Sequence, residues 1–163
     1  MKAEIIEQTT QMWTNEPEKA RVSPVVKARS EEGPQATVEA GSFSWQSDLP
    51  PTLGGENKAA SPTALLLGAL SGCAVLLIRD TLAPQLGVRV DSVQAETRCK
   101  ADFRGLLGLS GAVPDLQDVE ITIRIQSPDS EEKVQALYQA WLERCPVYLA
   151  LTKPMAVQAT LAR

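Results

Sequence analysis

Apolar and polar residues alternate in one long stretch of this chain and run together in another, and these two patterns organise the rest. Val119, Ile121, Ile123 and Ile125 alternate with Glu120, Thr122, Arg124 and Gln126, the period-two signature of a half-buried strand. Residues 64 to 78 are apolar on nearly every side. Ser61-Pro62 ahead of them supplies an N-cap and a proline at the first helical position, so this is a helix predicted to be buried all round, to about Leu82. Pro84 and Gly87 close it. Val134, Leu137, Trp141, Leu142 and Cys145 fall at helical spacings on one stripe, behind an Asp129/Glu132 pair that resembles a capping box.

Weaker patterns fill the remainder. Val88, Val90 and Val93 suggest a strand, a short apolar helix follows Cys145-Pro146, and Ala156 to Leu161 reads as a final strand. Residues 14 to 35 are polar and proline-punctuated, apart from a weak alternation at Val22–Val26 that suits a sheet edge. A turn signal at Glu31–Pro34 precedes strand-like runs at 36–40 and 42–45, which together predict an N-terminal β-meander. Strands, apolar helix, strands, amphipathic helix and strand make an α+β chain. With 163 residues, one domain is expected, an arm and meander over 1–45 and the motif-bearing region over 46–163. Gly68 and Gly72 lie about one turn apart and open the apolar helix to close approach by another backbone. One small domain covers such a helix poorly, and a second subunit is the expected remainder of its cover.

Composition changes this picture little and charge narrows it. Apolar residues make up 44% and charged ones 22%, with a formal net charge of -4, which gives no electrostatic reason to expect nucleic acid or an anionic membrane. Residues 1–8 carry no apolar core of a signal peptide, and residues 64–78 fall short of the roughly 20 that span a bilayer. A soluble, cytoplasmic protein is expected.

The absence of histidine matters more. It removes Ser-His-Asp and Cys-His-Asn catalysis within the chain and leaves the thiols Cys73, Cys99 and Cys145 as the strongest reactive candidates. They have no paired spacing for zinc, and three are too few for a disulfide framework. No cofactor is expected. Each cysteine alone suits a small buried hydrophobe, and Cys99, between Arg98 and Lys100, stays with that reading. Cys145 departs from it, because Pro146 starts a helix at the sulfur and amide dipoles there favour a thiolate. Cys73 has no activating cation in its local sequence, and apolar surroundings raise a thiol pKa, so its chemistry needs an arginine from elsewhere.

Leu53-Gly54-Gly55-Glu56-Asn57, Ser61-Pro62, the apolar run ending in Ser71-Gly72-Cys73, and Cys145-Pro146-Val147 together resemble the OsmC/Ohr family of thiol peroxidases, from about Trp45 to the end. The loop from Asp102 to Leu109 resembles one in an OsmC-like subgroup. The resemblance implies antiparallel sheets enclosing long buried central helices in an intertwined homodimer. It also implies Cys73 as the peroxidatic thiol, Cys145 as the resolving thiol, an organic hydroperoxide as substrate, and regeneration by an external dithiol, a lipoyl type among the candidates. Relatives carry a glutamate where Thr63 or Ala64 stands here, and it holds an arginine over the reactive sulfur. Arg29 is the first candidate for that arginine and Arg21 the second. Glu56 is a candidate replacement acid, set against a charge that is simply solvated. A non-enzymatic member binding an apolar small molecule or lipid at the dimer interface is the alternative.

Overall fold

The computed structural model describes residues 2–162, in two compact units: 7–68, and 2–6 together with 69–162. Each is taken by itself.

The unit of residues 7–68 is built on a three-stranded antiparallel meander, β1 (Lys27–Ser30), β2 (Ala36–Ala40) and β3 (Phe43–Ser47), in that order. The expected meander is present, although the Val22–Val26 segment precedes the first strand and does not join it. Register puts Ala28, Val38 and Trp45 in one cross-strand row, and neighbouring residues face the opposite side. An apolar groove of about 510 Å³ runs along that row, reaching Pro62 and Leu65. The long helix therefore starts on the Ala28–Val38–Trp45 face. Ahead of the strands, polar residues 2–15 form α1 (Lys2–Asn15), which the apolar pattern does not announce.

Between β3 and the helix, one carboxylate fixes the Gly-rich loop. Asp48 is 3% exposed and accepts hydrogen bonds from the backbone N–H groups of Leu49 (2.7 Å), Glu56 (3.3 Å) and Lys58 (2.9 Å), and from the Gln35 amide (3.1 Å). These donors, Lys58 N–H foremost, hold its carboxyl below the usual range against the opposing effect of burial. Gly55 passes so close to the Leu49 carbonyl that any Cβ would collide with it.

Helix α2 (Pro62–Leu76) starts where expected, with the Ser61 hydroxyl accepting from Ala64 N–H at 3.2 Å. It does not stop near Leu82. A π-helical stretch, Leu77–Leu82, carries it into α3 (Ala83–Leu86), and Gly87 in the left-handed region ends it. The wider π turn gives the Pro84 ring room that a regular helix denies it. It also corrects a drift. Leu70, Ala74, Ile78 and Leu82 are buried at spacings of four, which would rotate about 40° per step on an ideal α-helix.

The unit of residues 2–6 and 69–162 centres on that stripe. Hairpin β4 (Ser92–Lys100) and β5 (Gln117–Gln126) pairs antiparallel, with a bulge between Arg98 and Lys100. Ile121, Ile123 and Ile125 pack against the core as their alternation requires. Val88 and Val90 precede the strand rather than belong to it. Helix α4 (Glu131–Arg144) buries Leu137, Ala140 and Trp141, and α5 (Pro146–Thr152) follows directly. The expected capping box does not form: Ser130 is the N-cap, and Asp129 instead binds the backbone and guanidinium of Arg89. The final strand is also absent, since residues 153–162 are exposed and form no ladder in this chain.

The helical span Pro62–Leu86 is long and apolar enough to cross a membrane by length and composition, beyond the shorter run read from the sequence. Its buried stripe against α4 and the Asp80 carboxylate, which pairs with Arg79 and Lys2, suit a core helix. The stripe is one face only. Leu66 and Leu76 are exposed, and among the described residues no atom beyond the chain neighbours and the helix's own backbone lies within 4 Å of where a Cβ would stand on Gly68 or Gly72. All-round burial is not reached within the single chain.

Candidate active site: a thiol pair against an aromatic wall

Cys73 and Cys145 come from segments 72 residues apart and meet with their sulfurs 3.3 Å from each other, within hydrogen-bonding range for thiols. Both thiols are free. A disulfide needs about 2.05 Å, so about 1.2 Å of further approach separates the pair from a covalent bond.

Two local arrangements bring them there. Cys73 rides on α2, and two residues earlier the Ser71 hydroxyl bonds the Thr97 hydroxyl of β4 at 2.7 Å, pinning helix to sheet. Cys145 is fully buried at the α4–α5 junction, where it ends one helix and caps the next. Its backbone N–H donates to Trp141 O and its carbonyl accepts from Leu149 N–H, both at 2.9 Å. Pro146 makes this break obligatory, because it disfavours helical geometry at the residue before it while suiting the first position of α5.

The amide that turns toward a sulfur is that of Val147, and the sulfur is Cys73, not the Cys145 at the cap itself. It opposes a larger effect. Burial, followed by the neighbouring Cys145 thiol, pushes the Cys73 thiol up to about 11. Cys73 packs against the buried cluster that holds Cys145 and Trp141, and the fully buried Trp141 ring meets Tyr138 (centroids 6.0 Å apart) and Tyr148 (5.0 Å). Among the described residues, the Trp141 indole N–H has no hydrogen-bond partner.

Of the remaining candidates, Cys99 belongs to the same unit as this pair, and Arg29, Arg21 and Glu56 to the unit of residues 7–68. Cys99 is half-buried at the bulge of β4. Arg29 belongs to the unit of residues 7–68. It is not the unpartnered cation that the missing acid at Thr63 or Ala64 implies: its guanidinium donates to Glu39 at 2.6 Å and lies 3.3 Å from Glu31. The Glu39 contact raises its pKa further. Arg21 is exposed behind a short 3-10 turn. Glu56 pairs with Lys58. Sequence reasoning missed Glu39 and Asp48. The only signal for the first was its place in a hairpin whose register was unknown. For the second it was an acid standing just before the Pro-Pro and Gly-Gly pairs.

Among curated proteins, no sequence matches this chain. Its fold is found in solved structures. One is an OsmC-like protein from Mycoplasma pneumoniae, at 21% identity over 80% of this chain and 88% of that one, with a TM-score of 0.66. Another is an organic hydroperoxide resistance protein OsmC from Legionella pneumophila, at 22% over 80% and 89%, TM-score 0.58. A third is an OsmC-like hydroperoxide resistance protein from Jannaschia sp., at 23% over 87% and 95%, TM-score 0.54. At these identities the likeness speaks to the fold alone. The family profile described as OsmC-like protein matches residues 55–160, from the Gly-rich loop through both cysteines, and on that match the chain belongs to the OsmC-like protein family.

Proposed function

We propose that this protein is a cysteine-based peroxidase that reduces organic hydroperoxides. The observation carrying the reading is the unbonded Cys73–Cys145 pair at 3.3 Å. Several similar structures, including those from Legionella pneumophila and Vibrio cholerae, are named as organic hydroperoxide resistance proteins.

The chemistry balances over two thiols. The Cys73 thiolate attacks the outer peroxide oxygen, an S–O bond forms, the O–O bond breaks, and the alkoxide takes a proton and leaves as an alcohol. Cys73 is then a sulfenic acid. Cys145 attacks that sulfur, the S–S bond forms, and water leaves. An external dithiol, a lipoyl type among the candidates, returns two electrons by thiol–disulfide exchange. The aromatic and aliphatic walls favour an organic peroxide over hydrogen peroxide.

Two requirements follow. A thiol pushed up to about 11 needs a cation to become a nucleophile at neutral pH, and Arg29 is our candidate, with Arg21 second. The exposed face of α2, with Leu66, Leu76 and the open glycines, needs cover, which an intertwined homodimer would supply. Purified protein should consume cumene hydroperoxide when a dithiol is supplied. Cys73→Ser should abolish consumption. Cys145→Ser should consume about one equivalent and stop at a sulfenic acid trappable by dimedone, because only the attacking thiol needs activation.

The second reading, an apolar small molecule or lipid bound without catalysis, draws on the raised Cys73 thiol and the apolar groove on the β1–β3 sheet. It is favoured if both cysteine variants and the unmodified protein leave peroxide untouched.

A further inference from the structure

We propose that the Trp141 indole N–H is the hydrogen-bond donor to the oxygen that Cys73 gains when it reduces a peroxide. The inference deepens the peroxidase reading and rests on it. Trp141 is fully buried, and among the described residues its N–H has no partner. Burying a donor without an acceptor is costly, and phenylalanine fills an aromatic site without that cost. The side chains of the buried cluster around Trp141 offer no oxygen: they are hydrocarbon, apart from the Cys145 sulfur.

Trp141 stands one turn before Cys145 on the buried stripe of α4, and the Cys145 sulfur lies 3.3 Å from that of Cys73. The Trp141 ring also meets Tyr148 of α5 at 5.0 Å, and the first turn of α5 sends the Val147 amide to the Cys73 sulfur. The two helices that bracket Cys145 therefore carry both the indole and that amide. As the reduced pair stands, neither sulfur accepts the indole N–H. An oxygen on the Cys73 sulfur reaches one bond further and is a better acceptor than a thiol sulfur.

The cycle takes no proton from the indole. The peroxide O–O bond breaks, its outer oxygen stays on Cys73, and the alcohol leaves. That oxygen accepts from Trp141 as long as Cys73 is a sulfenic acid. When Cys145 forms the S–S bond, the oxygen leaves as water with the Cys145 proton, and the indole is unpaired again. While bonded, the oxidised sulfur is a poorer nucleophile toward a second peroxide, which would carry it to the sulfinic acid.

The Cys145→Ser protein, which should stop at the sulfenic acid, holds the bonded state for measurement. Of the three tryptophans, Trp141 is identified in NMR of the indole groups by removing the others, Trp13→Phe and Trp45→Phe. With one equivalent of cumene hydroperoxide its N–H proton signal should move downfield, and in Cys73→Ser it should not move. In the Cys145→Ser background, Trp141→Phe should speed sulfinic acid formation in excess peroxide about tenfold, in the range for losing a hydrogen bond to a charged group. Alkylation of reduced Cys73 by iodoacetamide should keep its rate, a readout that merely loosened packing would move.

An indole signal that stays in place once dimedone confirms the sulfenic acid would overturn the proposal and leave the peroxidase reading standing. So would the same shift in Cys73→Ser, because the partner would then not be an oxygen on Cys73. A sulfinic rate unchanged by Trp141→Phe, or alkylation that speeds in parallel with it, also overturns the proposal. If no sulfenic acid forms at all, the peroxidase reading falls and this inference with it.

Discussion

The two helices that carry the thiols differ in how much of themselves the chain uses. Helix α4 is amphipathic, and its apolar stripe is consumed within the fold: Leu137, Trp141 and the Cys145 that follows it are fully buried. Helix α2 is far more apolar yet buries only Leu70 and Ala74 among its fifteen residues, while Leu76 on another face is 55% exposed. An amphipathic helix states its own boundary with water, so the sequence of α4 describes a finished surface. A helix apolar all round states that something further covers it, and α2 leaves that statement open within one chain. Cys73 sits on the unfinished helix, and Cys145 at the end of the finished one.

The largest expected effect lies on the finished side. Trp141→Ala should cost about 3–5 kcal/mol in chemical denaturation, the range for deleting a buried aromatic. Trp141→Phe should cost far less, because the indole N–H has no partner to lose among the described residues and only volume changes. If the two variants cost the same, the Trp141 N–H is bonded in solution and the α4 core is incompletely described.

Helix α2 is tested at Leu76. A leucine as exposed as it is in the single chain should tolerate alanine within about 0.5 kcal/mol. If a second copy covers it, Leu76→Ala should cost about 2 kcal/mol or more, and melting should depend on protein concentration. Covered is the expected outcome. A neutral substitution in a protein that sediments as a monomer would erase the contrast between the helices.

A smaller effect is expected in the loop leading into α2. Asp48→Asn keeps the shape but turns an acceptor of four hydrogen bonds into a weaker one, and should lower the melting temperature by a few degrees. The sign with pH is fixed by the depressed carboxyl. Its stabilisation is fully present above the unfolded value of about 4 and is lost as pH falls through the lower folded value. The gap between the two proteins should therefore narrow in acid, and a gap constant down to pH 2 would remove Asp48 from this role.

What could be read in the sequence was whatever repeats along one element. The alternation of β5, the stripe of α4, the Ser61-Pro62 start and the Cys145-Pro146 break are local statements, and each is found in place. The misses depend on partners distant in sequence. Asp129 fits a capping box by spacing, but Arg89 takes its carboxylate first. Residues 156–161 alternate like a strand, but a strand exists only where another edge receives it. Pro84 looks like a helix stop, and the π turn before it lets the helix continue. The 3.3 Å meeting of the thiols was not written in the spacing of 72 residues; the family resemblance supplied the pair, and the register of α2 against α4 brings it together.

The central claim is that Cys73 and Cys145 form one redox couple, and peptide mapping tests it most directly. The reduced protein is treated with one equivalent of cumene hydroperoxide, blocked with an alkylating reagent and digested without reductant. The expected result is a cross-linked peptide joining the Cys73 and Cys145 segments, with Cys99 recovered alkylated. A disulfide to Cys99, or both Cys73 and Cys145 recovered as alkylated thiols with the peroxide unconsumed, would contradict it.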